Sequence, residues 1–112
     1  MMERTEAELI KQADDGGTFA VFLYTPLCGT CKVAERMLHI LSVMRPNYDV
    51  QSANVNLMPA LAQRWKVESV PCLIHIGDGE VRRKLYAFES IDNVHRFLEP
   101  IFSNPQREDD DQ

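Results

Sequence analysis

The stretch TFAVFLYTPLCGTCK, residues 18–32, sets an apolar run directly against two cysteines three positions apart. The run TFAVFLY (18–24) is short, rich in Phe and preceded by Gly16 and Gly17. Those features read as a strand buried on both faces rather than as a helix. Further on, Val33, Met37, Ile40, Leu41 and Met44 recur at helical spacing. They predict a helix from Cys28 to about Met44, with these residues as its apolar face and Pro46 as its stop. Cys28 then stands at the start of a helix that follows a buried strand. Cys31 lies one turn further in and is expected to be more enclosed.

That position matters chemically. The first N–H groups of a helix are unpaired and its dipole is positive there, so a thiolate is stabilised. The pKa of Cys28 is expected to fall. A drop from about 8.5 to about 7 raises the thiolate fraction at neutral pH from roughly 3% to roughly 50%. With a Brønsted coefficient of about 0.45, lost nucleophilicity leaves a net gain of only about 3-fold. The larger advantages are a better leaving group at Cys28 and intramolecular attack by Cys31. Gly29 leaves the Cys28 sulfur open to a partner. Two other readings stand beside this redox pair. As half of a metal site the cysteines would need further ligands, since zinc takes four; His39 and His75 are candidates, without diagnostic spacing. They could also be two inert core residues.

Working outward, Thr5 and Glu8 stand in capping-box spacing and start a short helix over 5–13. DVQSANV (49–55) reads as a second strand, and residues 59–65 as a short helix with Pro59 in its first turn. CLIHI (72–76) is a third strand, and GDG (77–79) turns it into a hairpin with residues 80–86. A last helix begins at Ser90 with Ile91, Val94, Phe97 and Leu98 as its stripe, and Pro100 ends or kinks it. Strands separated by helices imply parallel βαβ units, with an antiparallel final hairpin. The fold class is α/β, a central four-stranded mixed sheet flanked by four helices. Trp65 reads as a packing anchor, Cys72 as a small core residue, His75 as part of a packed strand face, and His39 and His95 as surface residues.

Composition excludes several function classes. The chain has 112 residues, 45% of them apolar, which suits one small globular domain. Net charge is −5, of which the terminal PQREDDDQ supplies −3. The longest basic cluster is Arg82 to Lys84, so no nucleic-acid partner is expected; that run keeps an edge strand soluble. No apolar run is long enough to span a membrane. The opening MMERTEAELIKQ carries Glu3 and Glu6, lacks an apolar core and does not read as a secretory signal. Three cysteines fit a reducing, cytoplasmic setting. Residues 1–103 read as the domain and 104–112 as an acidic, disordered tail.

The strand–CGTC–helix arrangement resembles the thioredoxin family over residues 5 to about 102. The matching pieces are CGTCK (28–32), VESVPCLIHIGDGE (67–80) and the final helix. The resemblance implies the thioredoxin fold and a cis Val70–Pro71 bond facing the cysteines. The backbone there would pair with an extended substrate segment beside Cys28. Several positions depart from the family pattern. Leu27 replaces a Trp before the first cysteine, Thr30 a Pro, Arg36 a helix-kinking Pro and Ala87 a groove Gly. Phe22 replaces a buried Asp, and Ser52 the Lys that often partners it. That Asp would assist proton removal from the second cysteine, so slower resolution of mixed disulfides is expected here.

The implied function is thiol–disulfide exchange with protein substrates. Cys28 would attack and Cys31 resolve, with Leu27, Gly29, Thr30, Val70, Pro71 and Ala87 contacting substrate. No cofactor or metal is called for. The implied partners are protein disulfides and an external electron donor such as a thioredoxin reductase, with no nucleic acid and no membrane, and a monomer is expected. The alternative is a thioredoxin-fold binding module that docks an extended segment against Pro71, Leu27 and the Ala87 loop. Glutaredoxin-like glutathione chemistry, with which SVP (69–71) is compatible, is a third reading.

Overall fold

The computed structural model describes residues 1–103; the predicted acidic tail, 104–112, lies outside the described residues. The elements run β1 (Met2–Glu3), α1 (Glu6–Asp14), β2 (Phe19–Tyr24), α2 (Gly29–Met44), β3 (Val50–Asn54), a 3₁₀ turn (Val55–Leu57), α3 (Pro59–Arg64), β4 (Cys72–Gly77), β5 (Glu80–Leu85) and α4 (Ile91–Phe102). The sheet order is β1-β3-β2-β4-β5.

The strand read from TFAVFLY is the middle of the sheet, paired parallel to β3 and antiparallel to β4. Its side chains alternate between two cores, as a strand's period of two requires. Ala20 and Phe22 face one core with Leu38, Leu41, Val94 and Leu98 of α2 and α4. Phe19, Val21 and Leu23 face the other with Leu9 of α1 and Leu61 of α3. Trp65 and Cys72 are buried in that second core. The first helix has its capping box: the Thr5 hydroxyl accepts from the Glu8 N–H, and the Glu8 carboxylate accepts from the Thr5 N–H.

Four expectations need correction. The sheet has five strands, not four, because two residues of β1 pair parallel with Gln51 and Ser52 of β3. The Arg4 N–H extends that ladder to the Ser52 carbonyl at 2.8 Å. Next, β4 is not part of a parallel βαβ unit; it runs antiparallel to β2 and does not neighbour β3. The buried face of α2 is Cys31, Ala34, Leu38 and Leu41, so of the predicted stripe Leu41 is buried while Val33, Ile40 and Met44 are exposed. Small residues at 31 and 34 let α2 approach the sheet closely, which leaves larger apolar side chains outside. Finally, of the two roles expected of Pro100, ending α4 is ruled out, because the helix continues to Phe102.

The hairpin turns as GDG predicts. Asp78 and Gly79 both have positive φ (52° and 82°), which suits a two-residue hairpin loop. A Cβ at Gly79 would also run into the Ala13 carbonyl oxygen. The basic run on the edge strand β5 does more than solubilise it. Arg83 donates to the Phe97 carbonyl at 2.7 Å, to His75 Nδ1 at 3.2 Å through Nε, and lies 4.2 Å from the Phe97 ring centre. Burial, with the charges of Arg83 and Arg82, lowers the His75 pKa and keeps the ring neutral as an acceptor.

A pKa depressed in the fold means that the unfolded chain binds the extra proton first. Stability from His75 is therefore present above its unfolded pKa of about 6.5 and is lost as pH falls through the folded value. His75→Gln keeps an acceptor without titrating, and should flatten this part of the acid limb in urea unfolding measured against pH. Gly79→Ala should lower stability by about 2 kcal/mol or more, read as a lower urea midpoint. Cys72 is fully buried, and burial pushes its thiol up to about 11. At neutral pH only about one molecule in ten thousand carries the thiolate. With Cys28 and Cys31 joined, iodoacetamide should label no cysteine in the native protein, and Cys72 alone once it is unfolded.

Candidate active site

The end of β2 delivers the chain through Thr25, Pro26 and Leu27 to the start of α2. Cys28 is the N-cap of that helix, one residue ahead of its first turn, with φ −114° and ψ 108°. Its sulfur accepts the Cys31 N–H at 3.1 Å, so a helix-end amide contacts the sulfur directly. The Thr30 hydroxyl lies 3.4 Å from the same sulfur. Cys28 and Cys31 form a disulfide with Cα atoms 5.2 Å apart. Cys28 is half-buried and Cys31 is 3% exposed, the asymmetry expected from their places on the helix.

The other candidate residues are arranged around this pair. Val70–Pro71 is cis, as the resemblance implies. Thr30 and Pro71 line one cleft of about 430 Å³ together with Val33, Met37, Tyr86 and Phe88. Leu27, Gly29, Val70 and Ala87 are not among its lining residues. Leu27 projects fully, at 99% exposure, and a Cβ at Gly29 would meet nothing within 4 Å. The sequence did not mark Val33 and Met37 as cleft residues; of these two members of the expected core-facing stripe, Val33 is exposed while Met37 is half-buried and does pack against the core.

A second cleft, of about 130 Å³, opens on the other side of Cys31, lined also by Glu3, Tyr24, Lys32, Glu35 and Ser52. Phe22 closes its inner wall, 1% exposed, with Tyr24 stacked on it and Phe88 edge-on, each with ring centres 6.0 Å away. Ser52 is the strand partner of Phe22 across β3 and β2; its hydroxyl donates to Glu3 Oε1 at 3.0 Å, and the Tyr24 hydroxyl donates to Glu3 Oε2 at 2.7 Å. Burial, then the bond to Glu3 and the charges of Glu3 and Glu35, push the Tyr24 pKa up to about 12. Glu3 belongs to the two-residue strand that no periodicity could signal.

Among the described residues, the two histidines considered as further metal ligands are placed elsewhere. His75 is engaged by Arg83 and His39 is an exposed residue of α2. Among the described residues no three His, Cys, Asp or Glu side chains gather where they could hold a metal ion. No described helix is long and apolar enough to cross a membrane.

No protein-family profile matches the chain. Individual proteins do. The thioredoxin-like protein YusE of Bacillus subtilis is 36% identical over 98 residues, which cover 88% of this chain and 91% of that protein. A thioredoxin H-type of Ricinus communis is 26% identical over 75% of this chain and 71% of its own length. Among solved structures, a mutant thioredoxin from Halobacterium salinarum superposes with a TM-score of 0.75 at 22% identity, covering 92% of this chain and 91% of that one. The oxidised mitochondrial thioredoxin 3 of Saccharomyces cerevisiae superposes with a TM-score of 0.74 at 18% identity, covering 89% and 94%. At those identities the structures speak for the fold. The first relative, similar over nearly its whole length, speaks for descent, and on that ground the chain belongs to the thioredoxin family.

Proposed function

We propose that the protein is a thiol–disulfide oxidoreductase that reduces disulfides in protein substrates, with Cys28 as the attacking and Cys31 as the resolving cysteine. The observation that carries this reading is the pairing of a half-buried sulfur, held by a helix-end N–H, with a buried one a single turn away. The Cys28 thiolate attacks one sulfur of a substrate disulfide. A Cys28–substrate bond forms, the substrate S–S bond breaks, and the departing thiolate takes a proton. Cys31 then loses its proton and attacks the Cys28 sulfur. The Cys28–Cys31 bond forms and the second substrate thiolate leaves. The substrate gains two electrons and two protons, and the cysteine pair loses them.

An external dithiol donor, such as a thioredoxin reductase, returns the pair to its reduced form. A reducing compartment such as the cytoplasm suits that cycle. The cleft of Thr30, Val33, Met37, Pro71 and Phe88 offers apolar side chains to a substrate segment laid along Pro71. Leu27, Gly29, Val70 and Ala87 complete the proposed contact region. Exposed Leu27 favours an apolar patch beside the target disulfide, since a free leucine on the surface gains by being covered.

The test is reduction of insulin by the protein in the presence of dithiothreitol. The wild type should accelerate it, and Cys28→Ser should return the rate to that of dithiothreitol alone. Cys31→Ser should accumulate a covalent mixed disulfide through Cys28, visible as a mass adduct. If the wild type gives no acceleration and Cys28 alkylates against pH like free cysteine, the docking-module reading replaces this one.

A further inference from the structure

Resolution of the mixed disulfide needs the Cys31 thiol to lose a proton. Cys31 is 3% exposed, and burial disfavours a thiolate. Phe22, which walls the thiol in, carries no group that can accept a proton. A base must therefore come from elsewhere around the sulfur. The cleft of about 130 Å³ beside Cys31 is large enough for several water molecules. Two carboxylates line it, Glu3 and Glu35.

The two are not equivalent. Both oxygens of Glu3 are held, one by the Ser52 hydroxyl at 3.0 Å and the other by the Tyr24 hydroxyl at 2.7 Å. These donors come from β3 and β2, so the rigid centre of the sheet fixes the carboxylate. Glu3 and Glu35 are both exposed, but no side-chain hydrogen bond holds the Glu35 carboxylate among the described residues. The other charged groups near the site are Lys32 of α2, which lines the same cleft, and two neighbours in sequence that are committed elsewhere. Arg4 donates to the Gln51 side chain, and the Glu6 carboxylate accepts the Leu61 N–H.

We infer that Glu3 is the proton acceptor for the Cys31 thiol, reached through water in this cleft and positioned by Tyr24 and Ser52. The inference rests on the proposed exchange activity. In the forward step the Cys31 proton passes by water to the Glu3 carboxylate as the Cys31 sulfur bonds to Cys28 and the substrate thiolate departs. When the external dithiol donor reduces the pair, the Cys31 sulfur leaves with its electron pair and takes the proton back. The carboxylate ends each full cycle as it began. Tyr24 keeps its own proton throughout, and so serves as a donor to Glu3 and not as a base.

The experiment follows formation and decay of the Cys28–substrate mixed disulfide separately, by acid quench and mass spectrometry across pH. In the wild type, decay should level off as pH rises. Glu3→Gln should leave formation unchanged and slow decay by about 10- to 100-fold near about pH 6, at or below the lower end of positioned proton transfer. Its decay should then climb in proportion to hydroxide. Glu3→Asp, which restores an ionisable group, should restore the plateau. Tyr24→Phe keeps the ring packing and frees one carboxylate oxygen, so it should slow decay with formation intact. Loss of packing alone would slow both steps or lower stability without changing the shape of the pH profile. Normal formation with wild-type decay in Glu3→Gln overturns the inference, as does an effect carried by Glu35→Gln instead. A wild type that forms no mixed disulfide overturns the exchange activity itself, and the inference with it.

Discussion

Burial of β2 on both faces is the constraint from which the rest of the structure follows. A strand with apolar side chains on either side needs a helical layer over each. Ala20 and Phe22 demand α2 and α4; Phe19, Val21 and Leu23 demand α1 and α3. That requirement puts β2 in the centre of the sheet, between β3 and β4, and so makes its end a fixed point. The cysteines follow directly from that fixed point. The helix they open is packed down on the sheet through Cys31, Ala34, Leu38 and Leu41, so the amide that contacts the Cys28 sulfur is held by the core.

Much of this was legible in the sequence wherever one local rule acted alone. The unbroken run at 18–24, the capping box at Thr5 and Glu8, and GDG at the hairpin each specify their element without help from distant residues. The errors arose where distance or competition decided. β1 is two residues long and exists because Ser52 and Gln51, far along the chain, offer an edge to pair with. α2 carries two apolar stripes, and periodicity cannot say which one meets the sheet. The narrower one does, because Ala34 and Cys31 permit close approach. Pro100 lies near the end of α4, where one missing N–H matters less than the burial of Val94, Phe97 and Leu98.

For the site, the sequence supplied the two cysteines, Thr30 and Pro71, because a motif marks them. It did not supply Val33, Met37 or Phe88 as cleft residues, since a groove is made by surfaces from three separate elements. The replacement of a buried carboxylate by Phe22 was readable as a loss. What stands beside Cys31 in its stead was not readable, since the Glu3 contacts to Tyr24 and Ser52 bridge 21 and 49 positions of sequence.

Arg83 has one more consequence. Its guanidinium is tied at once to a ring of β4, to a carbonyl of α4 and to the face of an aromatic side chain in that helix. An arginine on an outermost strand usually waves in solvent and leaves the strand free to peel. Here, peeling β5 away would strip both the Phe97 carbonyl and the His75 ring nitrogen of their donor. The hairpin's outer arm and the terminal helix are thereby fused into a single opening unit, so that thermal breathing at that margin engages both or neither.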